Sequence, residues 1–331
     1  MTHQEILFLT AREVRYLLTM DECIEAVEGA FRLYGEGRVA PPEVLSMHTS
    51  HGAFHVKAGI LDLDRNYFLA KVNGNFPENG TRFGLATIQG VIVLCDAERG
   101  CPLAIMDSRD ITSLRTAAAT AVAAKHLARQ DSRTVTICGC GTQGRVQIKA
   151  LTCVCRLQAV FAYDKNPKQA LEFAHEVTES LGIPAESVDD LGYATRRSDI
   201  CVTCTPARQA FLSQDDVSPG IFIAAIGADS ADKRELHPTL MVHSKIVTDI
   251  LEQCAVMGDL HHALDAGLIV KDDVHAELGE IVAGKKVGRE SDEEIIVFDS
   301  TGMALQDVAA TTRVYEKAQE QGLGIRLSFA V

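Results

Sequence analysis

The sequence predicts an α/β protein, a doubly wound parallel sheet combined with an N-terminal α+β domain. Three observations carry this. From residue 118 onward, short apolar runs alternate with helix-forming segments, the rhythm of a parallel sheet. Before residue 117 the apolar runs follow one another through turns instead, as the strands of a meander do. And 331 residues exceed what one hydrophobic core usually serves, so two domains are expected.

Taken in order, the first element is REVRYLLTMDECIEAVEGAFRLYGEG (12–37), which is apolar at helical spacing, closes on glycines and reads as a helix. FHVKAGI (54–60), NYFLAKVNGNF (66–76) and LATIQGVIVLCD (85–96) are β-rich, and the turn AERG leads the last of them toward PLAIMDS (102–108). That spacing predicts a sheet with one covered face. AAATAVAAKHLAR (117–129) is an Ala-rich helix former. RTVTICGCG (133–141) is a strand running into glycines, and QGRVQIKALTCV (143–154) resumes a helix. LQAVFAYD (157–164) is the next strand, and PKQALEFAHEVTESLG (167–182) a helix opened by Pro167. SDICVTCTP (198–206), GIFIAAIGAD (220–229), KIVTDI (245–250) and EEIIVFDSTG (293–302) supply further strands. ALQDVAATTRVYEKAQEQ (304–321) is a closing helix. Domains are therefore expected at 1–117 and 118–302, with a C-terminal helix in 303–331 that returns to the first.

A net charge of −13 without any run of Lys or Arg argues against nucleic acid and anionic membranes as partners. A small anion can still bind, provided individual cations are placed in a pocket. No stretch reaches bilayer-spanning length, and MTHQEILFLTAREV at the N-terminus lacks the basic start and cleavage site of a signal peptide. A cytoplasmic location is expected, with the ten cysteines as free thiols. Cys138/Cys140, Cys153/Cys155 and Cys201/Cys204 lie close in sequence, but the CxxC sits in an apolar strand without the second ligand pair of a zinc site. His261, His262, His275 and Glu277 show no repeated helical His spacing, so surface or structural roles are expected, and no metal.

Gly139-Cys140-Gly141-Thr142-Gln143-Gly144 is a complete G-x-G-x-x-G. Alone the pattern is weak. Here a strand precedes it, a helix follows it, and a second strand ends on Asp164, about 20 residues past Gly144. That is the context of a Rossmann dinucleotide site. Gly139 permits the tight turn, Gly141 the approach of a pyrophosphate, and Gly144 close helix–strand packing; the helix dipole favours the anion. Asp164 suits the adenine ribose hydroxyls and repels a ribose phosphate, so NAD (as NADH) is expected over NADP, with Lys165 moderating the preference. The alternative is a glycine-bounded turn with no ligand.

Four further segments resemble the ornithine cyclodeaminase/μ-crystallin family: KVNGNFPEN (71–79), DITSLRTAAATAVAAKHLA (110–128), IGADSADKREL (226–236), and ELGEIVAGKKVGR running to FDSTGMALQDVA (277–309). The resemblance covers residues 36–315 in collinear order and implies a substrate-binding and dimerisation domain followed by a Rossmann domain. It implies that Lys71 contacts the substrate carboxylate, that Arg115 touches substrate and cofactor, and that Asp229 is the catalytic acid/base. It also places Thr87, Thr142, Gln143, Asp164, Thr205, Lys233 and Ser300 at the dinucleotide, and Thr301 at the substrate. A homodimer is implied too.

Physical reasoning supports these roles. A buried Arg beside a Lys offers a carboxylate a bidentate partner and a second charge. Asp229 follows an apolar strand at its carboxyl end, where ligands sit in parallel sheets. The alternatives are that Lys71 and Arg115 are surface charges and that Asp229 caps a helix. The sequence departs from the family at Phe54-His55-Val56-Lys57, where many relatives carry an Arg that holds the substrate carboxylate. His55 stands in its place. His55 and Lys57 share one side of an extended strand, so both can enter a pocket. Added positive charge there disfavours ornithine and lysine and favours an anionic or small substrate. TIQG and GCGTQG are similar to the branch that reduces iminosuccinate to aspartate.

The activity expected is NADH-dependent reduction of a small α-imino acid to an amino acid, reversible as an amino acid dehydrogenase. Lys71 and Asp229 would be the catalytic pair. Two alternatives are deaminating cyclisation with internally recycled NAD, and a μ-crystallin-like protein that binds a dinucleotide and a small ligand.

Overall fold

The computed structural model describes residues 5–328. The chain divides into two compact units, parting between Arg115 and Thr116 and again between Gly302 and Met303. The described residues form strands β1 (Glu5–Leu9), β2 (Glu43–His48), β3 (Ala53–Asp62), β4 (Asn66–Asn75), β5 (Ile88–Asp96), β6 (Pro102–Asp107), β7 (Thr134–Cys138) and β8 (Ala159–Tyr163). After these come β9 (Ala185–Ser187), β10 (Ile200–Thr203), β11 (Phe222–Ala225), β12 (Lys245–Thr248), β13 (Ala276–Glu277), β14 (Ile296–Asp299) and β15 (Ile325–Ser328).

The first unit holds a seven-stranded sheet in the order β15-β1-β6-β5-β4-β3-β2. From β3 to β6 it is the antiparallel meander expected from the sequence, and β2, which has no counterpart in that reading, extends it. Alternation along β3 and β4 sends Leu61 and Leu69 inward, where Ile92 and Leu94 of β5 join them. The helix Ala304–Gln321 lies on that face, and a Cβ added at Gly59 would stand 3.1 Å from the Leu305 side chain. The opposite face stays bare: Leu45, Phe54, Ile60, Val72 and Val91 are exposed on it.

Further elements differ from expectation. The single N-terminal helix is two, Ala11–Leu17 and Met20–Gly35, because Thr19 and Glu22 form a reciprocal capping box that starts the second afresh. The C-terminal helix, by contrast, spans Ala304–Gln321 as expected, closed by Gly322 at φ 65°. β15 then returns antiparallel to β1, and this pair of strands has no counterpart in the sequence reading.

The second unit is built on an eight-stranded parallel sheet, β13-β12-β14-β11-β10-β7-β8-β9. β10, β11 and β14 are buried along their whole length, which is why they read as unbroken apolar runs. The chain moves from β7 outward through β8 to β9, then crosses to β10 on the other side of β7. The ends of β7 and β10 therefore flank a topological switch point, where open parallel sheets bind ligands. No helix of the described residues is long and apolar enough to cross a membrane.

Candidate active site

In the second unit the glycine-rich turn leaves β7 at the switch point. Gly139 has φ 101°, and a Cβ there would fall 2.9 Å from the Cys204 carbonyl oxygen at the end of β10. A Cβ at Gly144 would strike the Gly139 carbonyl oxygen at 2.2 Å, so helix and strand meet closely. Gly141 is different: its nearest neighbour would be Gln169 Nε2 at 3.8 Å. That open space lies at the start of the helix Thr142–Val154, which Gly141 caps without any side chain. A pyrophosphate fits such a place, since backbone N–H groups and the helix dipole face it. Asp164 accepts hydrogen bonds from the Cys140 amide at 2.8 Å, Gln169 Nε2 at 3.0 Å and the Asn166 amide at 2.9 Å. Its carboxylate thus also braces the turn.

Three more strand ends carry the remaining residues of this unit. After β10, Thr205 gives both its amide and its hydroxyl to Glu235 Oε1, at 2.6 and 2.7 Å. After β11, the Gly227 amide donates to Glu235 Oε2 at 2.8 Å. Asp229 is exposed two residues further on, with the Lys233 ammonium on its Oδ1. No helix follows until Pro238, so Asp229 is not a helix cap. After β14, Ser300 and Thr301 are buried and donate their hydroxyls to Asp249, at 3.0 and 3.3 Å.

The first unit contains a cluster of a different kind. Register pairs Lys57 directly with Lys71, and His55 with Asn73, across β3 and β4. Lys57 and Lys71 are both buried, on the face covered by the helix Ala304–Gln321. Asp307 of that helix, fully buried, accepts from Lys71 Nζ on both oxygens at 2.7 Å and from Arg115 Nε at 3.0 Å. Gln306 Oε1 accepts from Arg115 Nη1 at 2.9 Å. Lys71 and Arg115 are therefore not surface charges. Burial pushes the Lys71 ammonium down to about 7, Arg115 and Lys57 push the same way, and Asp307 opposes them. Burial works against the Asp307 carboxylate as well, yet Arg115 and Lys71, with Lys57 behind them, hold it below its usual range. Burial dominates the shift at Lys71, whereas at Asp307 the neighbouring cations outweigh burial.

His55 shares the inner side of β3 with Lys57, and its Nδ1 lies 2.9 Å from the Ser46 hydroxyl. Thr87 is exposed in this unit just ahead of β5, its carbonyl accepting the Phe76 amide at 2.9 Å. Outside the glycine-rich turn, His262 Nε2 donates to the Lys233 carbonyl and His275 Nε2 to the Val287 carbonyl, both at 2.7 Å. Sequence reasoning missed Asp307, Glu235 and Asp249. For Asp307 a signal existed, an acid isolated in the otherwise uncharged stretch ALQDVAATT. For Glu235, flanked by Asp232, Lys233 and Arg234, there was none.

A doubly wound parallel sheet with a glycine-rich turn at its switch point makes the second unit a Rossmann-type fold. The chain as a whole belongs to the ornithine cyclodeaminase/mu-crystallin family, whose model matches residues 4–322. Three solved structures resemble it along nearly its full length. An archaeal alanine dehydrogenase dimer with bound NAD is 41% identical, with a TM-score of 0.94 over 99% of this chain and 100% of that one. A Thermococcus litoralis Delta(1)-pyrroline-2-carboxylate reductase, in complex with NADH and L-proline, is 36% identical with a TM-score of 0.92, covering 97% and 100%. The iminosuccinate reductase of Paracoccus denitrificans, in complex with NAD+, is 31% identical with a TM-score of 0.91, covering 98% and 99%.

Proposed function

We propose that the protein is an NADH-dependent oxidoreductase that reduces a small α-imino acid to the amino acid, and runs in reverse as an amino acid dehydrogenase. The observation that carries this reading is the buried group of Lys57, Lys71 and Arg115 around the single carboxylate of Asp307. Buried cations gathered in this way suit the carboxylate that every α-imino acid carries. The names of the three similar structures support the reaction class, and two of those enzymes reduce C=N bonds by name.

Roles divide accordingly. Residues 1–117 with the C-terminal helix would bind substrate, Lys71 and Arg115 holding its carboxylate while Lys57 and His55 line the same face. Residues 118–302 would bind the dinucleotide, through Gly139, Gly141, Thr142, Gln143 and Gly144 at the pyrophosphate and Asp164 at the adenine ribose. Thr87, Thr205, Lys233 and Ser300 are assigned to the dinucleotide, Arg115 to both ligands, and Thr301 to the substrate, on the strength of the family resemblance. Bound NADH supplies the hydride. Asp229 would protonate the imine nitrogen first, and the carboxylate it leaves would stabilise the iminium that accepts the hydride. Lys57, buried on the same face, would meet a second carboxylate on the substrate, as in iminosuccinate. The cytoplasm is the compartment we assign, where all ten cysteines remain thiols.

The test is NADH oxidation, followed by absorbance, with a panel of 2-oxo acids supplied with ammonia or methylamine. Stoichiometric oxidation with at least one acid is expected. Turnover of ornithine or lysine with release of ammonia and no net change in NADH would overturn the reading in favour of cyclodeamination.

A further inference from the structure

Asp307 has a geometry that simple charge neutralisation does not require. Its two oxygens both face Lys71 Nζ at 2.7 Å, and Oδ1 is shared with Arg115 Nε at 3.0 Å. One carboxylate thereby sets the ammonium and the guanidinium side by side. An ammonium has three N–H groups and Asp307 engages at most two, so a further acceptor can still be served. Gln306, the preceding residue on the same helix, fixes Arg115 through Nη1. Two neighbouring positions of one helix thus set the guanidinium plane.

We propose that Asp307 is a positioning residue for the substrate carboxylate, aligning Lys71 and Arg115 as one cradle. The proposal rests on the reading of Lys71 and Arg115 as carboxylate ligands. Its second consequence is electrostatic. The charged groups facing Lys71 are Asp307 from the helix Ala304–Gln321, Arg115 from the helix Arg109–Leu127 and Lys57 from β3; its partner on β5 is the apolar Ile92. Cys23, from the helix Met20–Gly35, faces Arg115 and Asp307. Asp307 is the one group in this set that favours the ammonium. Lys71 stands at about 7 with that carboxylate in place, burial being the main cause, so loss of Asp307 would carry the amine further toward its neutral form.

The experiment is steady-state kinetics of Asp307→Asn across pH, with 2-oxo acid and ammonia as substrates. The KM for the oxo acid should rise at least about tenfold at pH 7.5 or so, with kcat changed far less. The alkaline limb of kcat/KM should move down by about one pH unit, as expected when an adjacent opposite charge is removed. NADH affinity, from fluorescence titration, should stay at the wild-type value. A salt bridge that only holds the fold together would lower thermal stability and leave the limb in place, and that result overturns the proposal. Asp307→Glu covers the case in which the Asn variant does not fold. It keeps the charge and shifts its position, so the limb should remain while KM rises; a wild-type KM there also overturns the proposal. Lys71→Met separates the two levels of inference. If it leaves the oxo-acid KM unchanged, the carboxylate reading itself fails. If it raises KM while Asp307→Asn does not, only the role of Asp307 falls.

Discussion

Lys57 and Lys71 stand directly opposite each other on the buried face of β3 and β4. Like charges in that register are destabilising, and burial makes them more so. Asp307 offsets part of the repulsion. Lys57→Met removes it. The variant should melt no lower than wild type, yet lose activity on a dicarboxylic imine by about 30-fold relative to a monocarboxylic one, the loss of a charge-assisted contact. Equal losses on both substrates would place Lys57 on the α-carboxylate; no loss on either would remove it from the site. At the second ligand, Asp164→Ser should weaken NADH and relax discrimination against NADPH; a wild type that already prefers NADPH would sink that assignment. The sequence carried much of this scale. Strand periodicity alone puts His55 and Lys57 on one side, and the spacing from Gly144 alone singles out Asp164. Asp307 escaped because periodicity reports which face of a helix is apolar, and here residues 304–312 are buried all round. What the sequence shows there is an isolated acid, and not the cations it meets.

Glu235 ties two strand ends together. It holds Thr205 after β10 and Gly227 after β11, and any Cβ at Gly227 would lie 2.5 Å from its carboxyl carbon. Glu235→Gln keeps one acceptor oxygen but turns an NH2 toward either Thr205 or the Gly227 amide. NADH should bind about tenfold more weakly, the cost of one buried bond to a charged group; an unchanged fluorescence titration would show that these loops need no clasp. The Glu235 and Leu236 amides are held in turn by Asp259 Oδ1, at 2.8 and 2.9 Å, while Asp259 Oδ2 has no partner. Burial first, and Glu235 second, push Asp259 up to about 7. Between its ordinary value of 3.8 and 7 the folded chain keeps a proton that the unfolded chain has lost. Stability from this group is therefore present at low pH and lost as pH rises through that window. Asp259→Asn abolishes the titration and retains the acceptor, so its melting temperature should gain on wild type at pH 8 and not at pH 4; an equal difference at both would exclude the effect. At this scale the parallel strands were legible as apolar runs and the meander as alternation. The break at Thr19 was not, because a capping box inside a continuous apolar period is outweighed by that period. Nor was β15, whose Ile-Arg-Leu-Ser alternates over only four residues, all of them exposed.

At the scale of the molecule, the bare face of the first unit's sheet is the feature that a lone chain leaves unexplained. Val72 and Val91 pair across β4 and β5 and point outward, with Phe54, Ile60 and Leu45 on the same side and Phe83 and Leu85 exposed nearby. Contiguous apolar area of this kind is rare on monomers and usual at subunit interfaces. The sequence foretold one covered face and hence one bare one; what lies on the bare face it could not say, because a partner's contribution leaves no period in this chain. A second copy is the proposed occupant, in keeping with the dimer named for the archaeal alanine dehydrogenase. A twofold contact is isologous, so each substitution is met twice at the same interface. Val72→Glu with Val91→Glu would bury four carboxylates in one dimer, a cost of several kcal/mol per ion without a partner. Light scattering at micromolar concentration should therefore give a dimer mass for wild type and a monomer mass for the double variant. NADH binding should persist in that variant, since the glycine-rich turn belongs to the other unit. A monomeric wild type would contradict the proposal outright, and a dimeric double variant would move the interface to another face.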